Sequence, residues 1–256
     1  MRLRAHSPSG RRGFTLVELL LVIAIIATLL ALALPGLAGT MSSARSFKCQ
    51  MGLRAIAFDF SIFADDQLHG DRGDDAQLGA NRFRLETFQE AQYRIDEFWS
   101  WGGVNEVRMP DEQGNDPLRC PEQTGEVVLR RAVPCSSGGV GPPEEVSYGF
   151  NVRLHVGEVE RAGRTRLQRI QLTSRIIETG DVPLVWDVDG RAATDRGVSP
   201  VFSGPSLDST AAFANDRYWF PGMRHAGSLN IAFIDGHVEG TATPLKTGRW
   251  GFQPVR

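Results

Sequence analysis

The chain of 256 residues carries 28 Lys plus Arg against 30 Asp plus Glu, and 41% of it is hydrophobic. Four of the basic residues, Arg2, Arg4, Arg11 and Arg12, fall in the first 13 positions, so the remainder holds 24 basic against 30 acidic side chains, a net charge of −6. That balance excludes a general electrostatic affinity for nucleic acid, and the length suits one domain behind an anchor.

The first element is an apolar run. Leu19–Leu34 consists of Ala, Val, Ile and Leu except for Thr28, and Phe14–Leu34 is 21 residues, about 31 Å as a helix and one hydrocarbon thickness. Arginines without acids before it predict a cytoplasmic N-terminus with the bulk of the chain on the other side of the membrane. Two fates compete. Ala31-Leu32-Ala33 offers the small-x-small site at which a secretory signal is cut. Glu18 argues for a retained segment, because a carboxylate inside an insertion helix costs up to about 3 kcal/mol and usually marks function.

Gly13-Phe14-Thr15-Leu16-Val17-Glu18 resembles the processing site of type IV prepilins and type II secretion pseudopilins, and Pro35 falls where that family often kinks its helix. The resemblance implies cleavage by a prepilin peptidase between Gly13 and Phe14, and methylation of the new amino terminus. Residues 14–35 then remain as a single-pass inner-membrane anchor. Glu18, one turn from the amine, would pair with the amine of its own or a neighbouring subunit during assembly. The expected organisation is a leader over 1–13, a transmembrane half-helix over 14–35, and a periplasmic, pilin-like domain over 36–256.

Beyond Pro35 helical periodicity continues. Ala44, Phe47, Met51, Ala55, Phe58 and Ile62 form one apolar stripe; Leu53, Ile56, Phe60 and Phe63 form a second, with Gln50, Arg54 and Ser61 in a polar sector. A pilin-like helix, packed on a sheet by one side and meeting neighbouring subunits by the other, needs such a double face; a helix buried on two sides of one domain needs it equally. The Gly- and Asp-rich stretch from Ala64 to Asp75 ends the helix as a solvated loop, its five aspartates lacking the EF-hand spacing for calcium. Leu85–Trp101 reads as a second helix ending in the aromatic cluster Phe98-Trp99-Ser100-Trp101, a core cap or a glycan or partner contact.

Strand-like runs follow at Glu126–Val133, Val146–Val156, Ile170–Glu178, Val182–Val188 and Leu229–Ile234, bounded by Gly, Pro, Asp or Ser. They predict an α+β fold, a long N-terminal helix on a C-terminal antiparallel sheet with long loops. The arginines from Arg161 to Arg175 alternate along a solvated strand face. Of three cysteines, Cys120 and Cys135 form the expected disulfide, a loop staple of about 3 kcal/mol, leaving Cys49 as a buried thiol in the helix.

Leu229–Ile234, Asp235-Gly236 and His237–Thr241 read as a hairpin with a two-residue type I′ turn. His225, nine residues before Asp235-Gly236, makes the segment resemble the His-x9-Asp-Gly motif of a prepilin-type family abundant in planctomycete-like bacteria. Cys49–Ile56, Leu118–Pro121 and Ser147–Asn151 resemble further elements of that family. The turn explains His225, Asp235 and Gly236 structurally, with His225 expected to hydrogen-bond a backbone carbonyl or an aspartate. Residues with metal-ligand chemistry are Asp187, Asp189, His225, Asp235 and His237; a calcium reading attaches to Asp187-Val188-Asp189-Gly190, a strand-ending turn its alternative. No catalytic motif and no cofactor are expected. The resemblance implies a non-enzymatic structural subunit, stacked with like or related pseudopilin subunits into a type II secretion-like fibre. The rival is a monomeric, signal-anchored domain binding a glycan or envelope polymer through Trp99, Trp101 and the acidic loops.

Overall fold

The structure, a computed structural model, describes residues 14–68, 82–93, 100–101, 117–123, 139–140, 146–161, 164–194, 202–204, 213–214 and 217–242. The chain divides into two compact units, Met1–Ser43 and Ala44–Arg256. Helix α1 runs from Leu16 to Ala64 without a break at Pro35. Within the first unit, Leu16–Leu34 is long and apolar enough to cross a membrane and none of it is buried, which fits a membrane anchor.

The start of α1 is capped by its own sequence. Thr15 Oγ1 accepts the Glu18 N–H at 3.3 Å, and Glu18 Oε2 accepts the Thr15 N–H at 2.8 Å and its hydroxyl at 2.7 Å. This reciprocal capping box satisfies donors that the first helical turn leaves orphaned.

The second unit is mixed α+β. Its remaining elements are β1 (Arg82–Phe83), α2 (Leu85–Tyr93), β2 (Ser100–Trp101), β3 (Gly139–Val140), β4 (Tyr148–Asn151), α3 (Val152–His155), β5 (Val156–Arg161), β6 (Arg164–Arg169) and β7 (Leu172–Thr173). A 3-10 turn (Ser174–Glu178), β8 (Pro183–Asp187), α4 (Gly190–Thr194), β9 (Phe202–Ser203), β10 (Phe213–Ala214), β11 (Arg217–Tyr218), β12 (Leu229–Phe233) and β13 (Val238–Thr241) complete it. The central sheet has the order β13-β12-β8-β4-β9, antiparallel except that edge strand β9 runs parallel to β4.

The period of two along β12 divides two cores. Leu229, Ile231 and Phe233 join Trp186, Val188 and Trp219 on one face, while Ala232 and Ile234 join the larger core on the other. That larger core takes Cys49, Leu53, Ile56, Phe60 and Phe63, adding the second apolar stripe of α1 to Cys49. Gln50 and Ser61, beside it, donate to Asn230 Oδ1 and Ile234 O. Phe60, Phe63, Phe83 and Phe88 meet edge-on at 5.2–6.0 Å, each pair contributing about 0.5–1.5 kcal/mol beyond burial. The first stripe stays exposed, Phe47 and Phe58 at 63% each.

Several expectations are corrected. The disulfide is Cys49–Cys120, with Cα atoms 5.4 Å apart across 71 residues of sequence, not Cys120–Cys135; Cys135 lies outside the described residues. Nearness in sequence pointed to Cys135, whereas Cys49 belongs to the buried face of α1 and joins the same core as Cys120. Helix α2 is described over Leu85–Tyr93, Phe98 and Trp99 lie outside the described residues, and Trp101 belongs to a strand paired with Gly139 rather than to the helix. The run Val146–Val156 is broken by α3, because the Asn151 side chain caps a helix start through the Arg153 N–H while donating to Pro183 O. Ile170–Glu178 is a short strand followed by a 3-10 turn. The expected strand Glu126–Val133 lies outside the described residues, as do Asp71, Asp74 and Asp75.

The hairpin is present, but its turn differs. The Gly236 N–H donates to Phe233 O and the Phe233 N–H to His237 O, which makes a three-residue loop. Gly236 alone has positive φ, +86°, as in a type I turn closed by a left-handed glycine. The positive-φ pair lies instead at Ala226 and Gly227, between His225 and Ser228, which exchange both backbone hydrogen bonds. That is the type I′ position, nine residues earlier than expected.

Helix α2 is tied down electrostatically. Glu86 lies 3.0 Å from His155 Nδ1 and 3.6 Å from Arg169 Nε. Burial by itself pushes the Glu86 carboxyl up, but the hydrogen bond and charge of His155 and the charge of Arg169 hold it below the usual carboxylate value.

Candidate functional site

Asp187 ends β8 at a point where the backbone of three segments converges. Its own carbonyl accepts the Gly222 N–H, and the next residue, Val188, donates to Ser147 O. The side chain is fully buried, so its charge needs partners. The Asn230 N–H donates to Oδ2 at 2.8 Å, and Arg224 Nη2 donates to Oδ1 at 3.1 Å. Arg224 also donates to the carbonyls of Ser147 and Val188. Gly222 is required for this approach, since a Cβ there would stand 2.7 Å from Arg224 Nη1 and 2.9 Å from the Val188 carbonyl.

His225 follows Arg224 and is held by the Ala226-Gly227 turn. Its Nε2 faces Asp187 Oδ2 at 3.1 Å, its Nδ1 faces Glu122 Oε2 at 2.8 Å, and Cys120 Sγ stands 3.6 Å from Nε2. An aspartate, Asp187, thus stands beside the His225 ring at ion-pair distance. Breaking one member of such a buried charged group costs about 3–5 kcal/mol, because the others lose their compensation.

The remaining metal candidates are not brought here. Asp189 is exposed and accepts the Ala192 N–H at the start of α4. Asp235 and His237 pair with each other at the hairpin tip, where the Asp235 carboxylate also takes the His237 N–H and the His237 ring stacks on Phe233 at 4.1 Å. What the sequence reading missed is the participation of Cys49, Cys120, Glu122 and Arg224. The Leu118–Pro121 block and the His225 spacing to Asp235-Gly236 were visible as motifs, but their meeting across about 100 residues, with Glu122 and Arg224 beside them, was not.

At the other end of the chain, Phe14 is exposed and Gly13 lies outside the described residues. The prokaryotic N-terminal methylation motif matches residues 8–34. That match spans the expected cleavage position, Glu18 and the apolar segment, and supports a prepilin-type, pseudopilin-like protein processed at its N-terminus. No curated protein and no solved structure matches the chain.

Proposed function

We propose, with the methylation motif at residues 8–34 as premise, that this chain is a structural subunit of a type II secretion-like envelope fibre. Prepilin peptidase cuts after Gly13 and methylates Phe14; the mature subunit sits in the inner membrane by residues 14–35, with its domain periplasmic. Subunits then stack laterally by their helices. The observation that carries the assembly role is the exposed stripe Ala44, Phe47, Met51, Ala55, Phe58 and Ile62, opposite the face that packs into the core. An apolar stripe of this length on a free helix face marks an interaction surface.

Glu18 satisfies its own helix start in the single chain. In the fibre it would exchange the Thr15 partners for a neighbour's methylated amine, a charged donor that binds a carboxylate more strongly in an apolar surrounding. The deciding experiment is the intact mass and N-terminal sequence of the native membrane-associated protein, together with the size of shear-released material. A chain beginning at methylated Phe14 within multimers is the expected result. A chain beginning near Leu34 would mark the segment as a removable signal and end this reading.

A further inference from the structure

We infer that Cys49, Cys120, Asp187 and His225 form a tetrahedral zinc site whenever the two cysteines are thiols rather than a disulfide. The four residues come from α1, the turn at 117–123, the end of β8 and the turn before β12. Each contributes one ligand atom, all four atoms lie within 4.8 Å of one another, and all four residues are buried. Zinc with sulfur at about 2.3 Å and nitrogen or oxygen at about 2.0–2.1 Å requires ligand-to-ligand edges of about 3.3–3.8 Å. Two edges already stand close to that, His225 Nε2 to Cys120 Sγ at 3.6 Å and to Asp187 Oδ2 at 3.1 Å.

The surroundings are those of a metal site. Glu122 faces Nδ1 of His225 at 2.8 Å, the outer carboxylate that orients a ligating imidazole and sets its tautomer. Arg224 and the Asn230 N–H fix the Asp187 carboxylate. Zn2+ and Arg224 offset three of the four negative charges of the two thiolates, Asp187 and Glu122, which lowers the burial cost that the unmetallated set would carry.

Zinc entry releases two protons, one from each thiol. Conversion to the disulfide is an exchange with a disulfide-bearing oxidant: the two thiolates lose two electrons and form the Cys49–Cys120 bond, the oxidant's sulfur–sulfur bond takes those electrons and two protons to give two thiols, and Zn2+ departs. The same residues thus hold α1 against the sheet before and after oxidation.

The test uses the full chain in detergent, purified reduced and metal-free, with ZnCl2 as probe. One zinc per chain should survive desalting, and the oxidised chain should retain none. Cobalt(II) in its place should show sulfur-to-metal charge transfer and tetrahedral d–d bands, unchanged in Cys135→Ser and lost in Cys49→Ser. Glu122→Gln should weaken zinc binding 10- to 100-fold while the metal-bound spectrum persists. A reduced chain that folds only on adding zinc supports the site equally. If Cys49→Ser fails to fold, zinc X-ray absorption on the unsubstituted reduced chain decides, two sulfur and two nitrogen or oxygen ligands being the expected shell. Fewer than two sulfurs, a spectrum lost in Cys135→Ser instead, or no retained zinc in the reduced chain would overturn the inference.

Discussion

Removing Cys120 tests how the outer half of α1 is held. The bridge Cys49–Cys120 closes 71 residues, and chain entropy assigns such a loop about 4 kcal/mol, against about 3 kcal/mol for the 15-residue loop to Cys135. The unit containing it spans Ala44–Arg256, a size at which each kcal/mol moves Tm by about 2–4 °C. Cys120→Ala should therefore lower Tm by about 8–16 °C. Cys49→Ala should do the same, because either substitution opens the same loop, and the double variant should add little to either. Cys135→Ala should leave the Cys49–Cys120 loop closed and its contribution in place. Thermal melts of the oxidised full chain in detergent, followed by tryptophan fluorescence, measure this, since Trp186 and Trp219 are buried beside the sheet. Non-reducing peptide maps supply the covalent check. A large loss in Cys135→Ala with a silent Cys49→Ala would refute the reasoning, and so would a mapped Cys120–Cys135 peptide.

The exposed stripe predicts that Phe47→Asp and Phe58→Asp leave the unfolding midpoint nearly unchanged, within about 0.5 kcal/mol. They should nevertheless weaken multimers by about ten- to a hundredfold per site, the worth of one buried Phe; crosslinking in membranes reads this, and normal multimers in both variants would dismiss the stripe as an interface. Gly236→Val should cost about 1–3 kcal/mol from backbone strain alone, since its Cβ would meet nothing within 4 Å, whereas Ala226→Gly should gain about 0.5–1 kcal/mol by relieving φ 51°. Denaturant midpoints with the opposite ordering would reject both turn assignments. Glu86, held below its ordinary value, stabilises the fold fully above about pH 4.3, and that contribution disappears as pH falls through the lowered folded-state value. Glu86→Gln should accordingly be less stable than the parent at pH 6, with the gap narrowing as the pH falls below the ordinary carboxylate value; a gap that does not change with pH would mean the carboxylate charge is not what stabilises α2.

Local pattern determined much of this protein. The anchor was legible because 16 consecutive residues from Leu19 to Leu34 contain one polar side chain, and lipid imposes a length and composition that no tertiary contact needs to supply. Both stripes of α1 were legible from the 3.6-residue period, and the strands β8 and β12 from their apolar runs bounded by turn residues. Which stripe is buried was decided by the tertiary structure, because a periodic helix does not reveal what lies against each face. The turn type was also decided there: Asp235-Gly236 satisfies a type I′ loop and a three-residue loop alike, and the register of β12 with β13 selects the second. The disulfide and the buried cluster were the least legible. Glu122, Asp187 and His225 are far apart in the chain, and their approach rests on Gly222, the Arg224 fork and the Ala226-Gly227 turn. Local propensity carries no term for such long-range convergence; only packing α1, β8 and β12 around one core brings Cys49 and Cys120 within bonding distance of each other and places His225 beside them.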